Sequence, residues 1–256
     1  MPKYWDQLTT GDFDGLAGDT VAVVVLGAIE QHGPHLPLST DTRIGEGLLD
    51  AAIDRLPEDF PLVVLPSMHM GSSPEHLDFA GTLSLSPEQS QAQALALGAA
   101  VARAGMSRLI LFNAHGGNAG WMEAAALALR RRFGLLVVKA SYMRFEAPED
   151  LIGVDELRNG LHGGLAETAM MRQLAPELVR MNRAESFTTN HPHDDALPPQ
   201  GEAPWAWLAE DLNAAGVVGD AASATPALGR ALIDHYAGRL AKILEEVRKK
   251  PWPIRQ

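Results

Sequence analysis

Short runs of consecutive apolar residues alternate along the chain with longer segments in which apolar residues recur every three or four positions. Continuous apolar runs are typical of strands buried on both faces of a parallel sheet, and the longer spacing is typical of helices that cover such a sheet. The pattern predicts strands at 20–28, 62–65, 108–113 and 135–140. It predicts helices at 42–55, 87–103, 121–132, 165–174, 205–213 and 226–249.

This alternation of strands and helices determines the expected fold class. Buried strands separated by helices pair in parallel through right-handed crossover connections. We therefore expect an α/β fold, a three-layer α/β/α sandwich with a mostly parallel central sheet. No internal repeat or linker-like change in composition divides the sequence, so residues 1–256 are expected to form one domain.

Composition limits the chemistry that this chain supports. The 256 residues contain no cysteine, which excludes disulfides, thiolate metal sites and a cysteine nucleophile. The net charge of -11 and the pI of about 5.2 leave no basic surface for nucleic acid. No apolar run is long enough to span a membrane, and no basic and then apolar leader opens the chain. We therefore expect a cytoplasmic protein with neither nucleic-acid nor membrane partners.

The strongest chemical signal follows the first predicted strand. Glu30, His32, His35 and Asp41 lie within twelve residues, on a loop that glycine and proline interrupt. Glu30 and His32 are two positions apart, which places both side chains on the same side of an extended backbone. Ligands bind at the carboxyl ends of strands in open α/β sheets. We therefore interpret this cluster as half of an active site rather than as an ordinary solvated loop.

Two further segments carry groups of the same kind. His115 follows the third predicted strand in a loop with Gly116 and Gly117, whose backbone can approach a ligand closely. His162 and Glu167 flank the start of a predicted helix, where the helix dipole alone would account for a glutamate. Because the loops follow strands of one sheet, these groups are expected to face the same crevice as the first cluster.

The number of candidate ligands favours two metal ions. The three segments together offer three carboxylates and two imidazoles: Glu30, Asp41, Glu167, His32 and His115. A single ion with three protein ligands leaves two charged groups without a task, whereas two divalent ions that share a carboxylate use all five. Mixed nitrogen and oxygen ligands suit zinc, manganese or iron. The spacing of the ligands does not distinguish these metals. Of the three, zinc is the ion that we expect, with manganese or iron as alternatives.

The motifs resemble those of the creatininase (creatinine amidohydrolase) family. The resemblance runs in order over nearly the whole chain and rests on segments 30–41, 73–76, 79–82, 113–118, 162–167, 216–220 and 224–225. It implies a three-layer α/β/α fold, two divalent metal ions per chain and assembly into homohexamers. It also implies hydrolysis of a C–N amide bond in a small-molecule substrate, either a small cyclic amide or a formamide.

The same resemblance implies roles for individual metal ligands. Asp41 would bridge the two ions. Glu30 and His115 would complete one site, and His32 and Glu167 would complete the other.

A catalytic role follows from the resemblance in the same way, whereas the substrate-binding residues are inferred from their positions. His162 would be the unligated acid or base that passes a proton to the leaving nitrogen, and Glu167 is counted with it among the catalytic residues. The residues expected to bind substrate lie after a predicted strand or in the glycine loop: Ser73, His76, Gly116 and Gly117. For His76, support of a ligand or a contact between subunits is an equal alternative.

Two departures from the family pattern argue against creatinine as the substrate. In the name-giving enzyme a metal-binding glutamate occupies the position of Gly117, and Glu167 is expected to replace it here. The tryptophans that hold creatinine have no counterpart in segment 142–158. Other branches of the family deformylate pathway intermediates, open small cyclic amides or trim a modified precursor peptide. A peptidase, a lactone hydrolase and a metabolite-binding protein without catalysis therefore stay open as alternatives.

The remaining histidines and tryptophans have simpler explanations. His35 is expected to orient its loop by hydrogen bonding rather than to bind metal. The roles of three other histidines are left open: His69, His191 and His193. Trp205 and Trp207 are expected to be core or interface aromatics.

Overall fold

A five-stranded parallel sheet forms the centre of the fold in the computed structural model, which describes residues 2–191 and 197–252. Its strands in chain order are β1 Lys3–Tyr4, β2 Val21–Leu26, β3 Leu62–Val64, β4 Arg108–Asn113 and β5 Leu136–Ser141. The spatial order is β1-β3-β2-β4-β5, and every pair is parallel. The predicted parallel sheet is confirmed, and β1 adds an edge strand that the sequence pattern did not indicate.

Helices cover both faces of this sheet. In chain order, the helices of the described residues are α1 Thr40–Ile53, α2 Pro87–Arg103, α3 Ala119–Phe133, α4 Val154–Asn159, α5 Leu165–Leu174, α6 Ala209–Leu212 and α7 Pro226–Lys249. Helices α1, α5 and α7 pack together on one face, and α2 packs with α3 on the other. The α/β/α sandwich is therefore confirmed.

The central strand β2 shows why both faces need a helical layer. Its six residues are all apolar and buried, and alternate side chains point to opposite faces. Val23 belongs to the same apolar cluster as Ile44 of α1, whereas Val24 belongs to the cluster that contains Trp121 of α3. A strand that is apolar at every position can bury all of its side chains only in such a layered arrangement.

Helix α1 begins at Thr40, two residues earlier than the spacing predicted, so Asp41 lies in a helix and not in the loop. The hydroxyl of Thr40 donates a hydrogen bond to the carbonyl of Pro37, 2.7 Å away, and this contact closes the turn that starts the helix. An acidic side chain in the first turn is also favoured by the helix dipole. Asp41 is consequently held on a rigid element.

The predicted helix 205–213 is wrong in most of its length, because only α6 is helical there. The carboxylate of Asp211 accepts a hydrogen bond from the backbone N–H of Leu208, 2.8 Å away, and so caps a helix that begins one residue later. Trp205 and Trp207 therefore lie on irregular backbone.

A small antiparallel pair of strands, β6 Ser186–Phe187 and β7 Gly219–Asp220, supports the loop that carries His162. The backbone N–H of Val218 donates to the carbonyl of His162 at 2.7 Å, which ties this loop to the residues before β7. Within 2–191 and 197–252, no helix combines the length and the apolar character that crossing a membrane requires.

Candidate metal centre

The five expected ligands converge at the carboxyl edge of the sheet. Glu30 and His32 follow β2, His115 follows β4, and Asp41 and Glu167 lie in the first turns of α1 and α5. Four of them are almost fully buried, and the side chain of Glu167 is 15% exposed. The loops and helices thus bring together residues that are separated by more than a hundred positions in the sequence.

Asp41 lies between the two imidazoles. Its Oδ1 is 3.2 Å from Nε2 of His32, and its Oδ2 is 3.2 Å from Nδ1 of His115. Oε2 of Glu30 is 3.3 Å from Nε2 of His115, and Oε2 of Glu167 is 3.9 Å from Nε2 of His32. Two groups of donors that could each hold a metal ion therefore share Asp41: Glu30–Asp41–His115 and His32–Asp41–Glu167, with the donor atoms of each group within 4.8 Å of one another.

The buried carboxylates fit a cation. Both side-chain oxygens of Glu30 and Oδ2 of Asp41 are buried and have no hydrogen-bond partner among the described residues. A buried carboxylate oxygen without a partner is costly, so a positive charge at this place is strongly favoured. Burial lowers the pKa of His32, but the carboxylates of Asp41, Glu167 and Glu30 together outweigh this effect and raise that pKa to about 10. The cluster therefore draws in protons when no metal is bound, and divalent ions would replace them.

Backbone carbonyls fix which imidazole nitrogens face the cluster. Nδ1–H of His32 donates to the carbonyl of Glu30 at 3.1 Å, and Nε2–H of His115 donates to the carbonyl of Ser72 at 2.9 Å. Because a carbonyl can only accept, the opposite nitrogens face Asp41, and they would offer their lone pairs to a metal ion that displaces their protons. Such a hydrogen bond from the other ring nitrogen is the usual support of a metal-binding histidine.

Glu167 is oriented by two donors. The backbone N–H of Gly163 donates to its Oε2 at 2.7 Å, and the hydroxyl of Tyr142 approaches its Oε1 at 3.4 Å. Burial raises the pKa of Tyr142 well above its ordinary value, so the phenol stays protonated. Sequence reasoning missed Tyr142, although its position directly after β5 was a signal of the same kind that identified His115.

His162 lies between two other imidazoles. Its ring centroid is 4.2 Å from that of His32 and 4.4 Å from that of His76. Nε2–H donates to the carbonyl of Gln31 at 2.8 Å, so the lone pair is on Nδ1, which lies 3.7 Å from Oε1 of Glu30. Burial, with the nearby His32, lowers the pKa of His162. His162 also forms a third possible metal group with Glu30 and His32, so its geometry allows either proton transfer or ligation.

A cavity of about 550 Å³ opens onto these groups. Three of the expected substrate-binding residues line it: His76, Gly116 and Gly117. Ser73, by contrast, is buried and contacts Nε2 of His115 with its hydroxyl, 3.2 Å away. Other residues that line the cavity, and that the sequence did not assign to the site, include Glu75, Met143, Trp205, Trp207 and Leu208. A larger groove of about 870 Å³ runs along α7 and contains none of the candidate ligands.

Gly117 is required by close packing. A Cβ at this position would lie 2.3 Å from the carbonyl oxygen of Ser72 and 2.6 Å from Nε2 of His115. A Cβ on Gly116 would meet no atom within 4 Å. A side chain is therefore excluded sterically at Gly117 but not at Gly116. The close contact at Gly117 is with the ring of His115 and with the backbone of Ser72.

The histidines that do not belong to the ligand groups have different environments. Nε2 of His35 lies 3.0 Å from the carbonyl of Gly163, so His35 has the loop-orienting hydrogen bond that the sequence suggested. His69 is exposed and lies 3.3 Å from Glu46. The ring of His191 meets that of Trp205 edge-on at 5.1 Å, and His193 lies outside the described residues.

Comparisons with known proteins identify the family of this chain. The chain matches the creatininase (creatinine amidohydrolase) family over residues 6–244. It is 34% identical over 230 residues to the mycofactocin precursor peptide peptidase of Mycobacterium tuberculosis, covering 86% of this chain and 84% of that protein. It is 32% identical over 200 residues to the creatinine amidohydrolase of Pseudomonas putida, covering 69% of this chain and 74% of that protein.

A solved structure named "Creatininase Mn" shares the fold with a TM-score of 0.82 at 24% identity, covering 98% of this chain and all of that one. The fold and the extent of these matches establish that the chain belongs to the creatininase family.

Proposed function

We propose that this protein hydrolyses a C–N amide bond in an organic substrate at a centre of two divalent metal ions. The observation that carries the proposal is the pair of ligand groups that share Asp41, next to an open cavity and to the imidazole of His162, which belongs to neither of these two groups. The relatives named above as a peptidase and an amidohydrolase act on amide bonds, which supports the same reaction class.

In this proposal, Glu30, Asp41 and His115 hold one ion, and His32, Asp41 and Glu167 hold the other. Zinc is the ion we propose because imidazole and carboxylate donors suit it, and manganese is the alternative that the structural relative "Creatininase Mn" supports. When bound at these residues, two such ions would supply a nucleophilic hydroxide near neutral pH and would polarise the substrate carbonyl.

The chain's own residues account for the remaining steps. Nδ1 of His162 faces the cluster with a free lone pair, so it can accept a proton there and pass it to the leaving nitrogen. Its Nε2–H stays on the carbonyl of Gln31 and keeps the ring in one orientation. Gly163 and Tyr142 keep Glu167 aimed at His32. His76, Gly116 and Gly117 line the same cavity as these groups and are proposed to contact substrate.

A peptidase that trims a modified precursor peptide is the second candidate. The size of the cavity favours it, because about 550 Å³ lies within the range of sites that hold drug-sized ligands and exceeds the need of a single small ring. The relative named as a peptidase also covers more of this chain than the creatinine amidohydrolase does.

A substrate screen tests the proposed reaction. Zinc-loaded and manganese-loaded protein would be incubated with formamides, cyclic amides, lactones and short peptides, with release of acid or amine measured by mass spectrometry. We expect turnover of at least one amide class, with loss of that activity in Asp41→Ala and after chelation. Turnover of lactones alone, or activity that survives in Asp41→Ala, would contradict the proposal. Assembly into hexamers, a cytoplasmic location and a single domain over 1–256 stay predictions from the sequence.

A further inference from the structure

The outer part of the cavity has an apolar wall that the ligand chemistry does not explain. Trp205 and Trp207 line it together with Met143 and Leu208, and these last two are 44% and 41% exposed. Both tryptophans are half-buried. Large apolar side chains that stay partly open to solvent around a cavity are typical of a ligand-binding surface rather than of a folded core.

Contacts outside the cavity hold both indoles in place. Nε1–H of Trp207 donates to the carbonyl of Pro199 at 3.2 Å, so the polar edge of this ring is already occupied. The ring of His191 packs edge-on against Trp205, with 74° between the ring planes. The two side chains therefore expose aromatic rings to the cavity, and their rotamers are already restricted. A ligand that stacks there loses less free energy in ordering the site.

The charges around the cavity further limit the chemical class of ligand that it can bind. Among the described residues that line it there is no lysine or arginine, whereas Glu30, Asp41, Glu75 and Glu167 contribute carboxylates. An anionic substrate group would find no cationic side chain in this wall, and its only positive partners would be the proposed metal ions. An aromatic or aliphatic group fits the wall without an unpaired charge.

We propose that Trp205 and Trp207 are specificity determinants that select amide substrates carrying an uncharged aromatic or large apolar group beside the scissile bond. This inference rests on the proposed function, since the reacting amide must reach the metal ligands while the side group lies on the indoles. These tryptophans come from segment 197–208, not from 142–158, where the family pattern would have placed substrate-holding tryptophans. The aromatic wall of this cavity is therefore built from a different segment of the chain than the family pattern predicts.

The binding of small hydroxamates distinguishes the contribution of the apolar wall to affinity from that of the metal centre. Acetohydroxamate and benzohydroxamate chelate metal through the same group and differ in a methyl or a phenyl substituent, so their affinity ratio reports the wall without any turnover. For the zinc-loaded protein, titration calorimetry should show benzohydroxamate binding at least about tenfold more tightly than acetohydroxamate, because aromatic contacts add to apolar burial. 4-Carboxybenzohydroxamate should lose this gain.

Substitutions assign the preference to the two indoles. Trp205→Leu and Trp207→Leu should each reduce the benzohydroxamate affinity about threefold or more and leave acetohydroxamate binding unchanged. Trp207→Phe should retain most of the preference. Trp252→Leu is the matched control, since that indole donates to the carbonyl of Gly134 away from the cavity. Thermal melting of each variant shows whether it is folded.

Each other result is informative. Equal affinities for the two hydroxamates in the wild type, or an unchanged ratio in both leucine variants, would overturn the specificity role and leave the metal centre standing. Failure of both hydroxamates to bind the metal-loaded protein would overturn the proposed function, and this inference with it.

Discussion

The side-chain amide of Gln31 donates a hydrogen bond to Nδ1 of His76, with 2.8 Å between the two nitrogen atoms. The amide has one orientation, because its oxygen accepts from the backbone N–H of Gly33 at 3.0 Å and its nitrogen donates to the carbonyl of Gly216 at 2.6 Å. Nδ1 of His76 is therefore the acceptor, and the ring proton lies on Nε2, 3.5 Å from Oε1 of Glu30. Gln31 thus orients an imidazole that faces a proposed metal ligand.

Replacing Gln31 tests this arrangement. Gln31→Met keeps the size of the side chain but leaves His76 free to turn and the two backbone partners unpaired. We expect a free energy of unfolding lower by about 1–3 kcal/mol. Metal affinity should fall by up to about 10-fold, the lower end of the effect of a direct partner of a metal ligand, because Gln31 acts on Glu30 through His76. Chelator competition and urea unfolding measure the two quantities. Gln200→Met, at an exposed residue of the same cavity, is the control. Wild-type metal affinity in Gln31→Met would show that this orientation is unimportant.

His162 is the proposed proton carrier. His162→Asn should keep both metal ions and the wild-type thermal stability, and should lose about 10²–10⁴-fold in turnover of an amide, because the leaving nitrogen then departs without a proton. The loss should be smaller for an activated ester, whose leaving group needs no proton. Metal content and the amide-to-ester rate ratio are the measurements. If the variant instead loses one ion, His162 is a ligand, as its third possible grouping with Glu30 and His32 would allow.

The Gly116–Gly117 pair offers a comparison within two adjacent residues. Gly117→Ala forces its Cβ against the carbonyl of Ser72 and the ring of His115. We expect a loss of about 1–3 kcal/mol in stability, typical of overpacking, together with weaker metal binding. Gly116→Ala has open space and should change stability by less than about 1 kcal/mol. Thermal melting with and without zinc compares the two variants. Equal melting temperatures for the two variants would mean that the loop around Gly117 shifts to accommodate the added Cβ, so that its contact with His115 does not limit the residue at this position.

The sequence predicted the framework of this fold because that framework depends on local patterns. Continuous apolar runs identified β2 and β4, and the spacing of apolar residues predicted a helix at 87–103, the bounds of α2 in the structure. The predicted ligands also lie together, since the loops after β2 and β4 meet at one edge of a parallel sheet. Their roles as ligands stay predictions.

What the sequence did not predict depends on contacts between distant segments. Trp205 and Trp207 were expected in the core or at an interface, and no local pattern shows that an irregular segment near the end of the chain returns to the cavity. The tautomer of His76 depends on Gln31, which is 45 residues away. Gln31 and Tyr142 carry no charge at neutral pH, so their residue types alone do not indicate a metal centre.

The number of metal ions in the wild type and in two variants tests the central claim, a two-metal centre that Asp41 bridges. Elemental analysis of zinc-loaded wild-type protein should give about two ions per chain. Asp41→Ala should lose both ions, because two cations would face each other without the shared carboxylate that offsets their repulsion. His32→Ala should preferentially empty one site. Two ions retained at wild-type affinity in Asp41→Ala would contradict the bridging role, and a wild type that binds no metal would contradict the whole account.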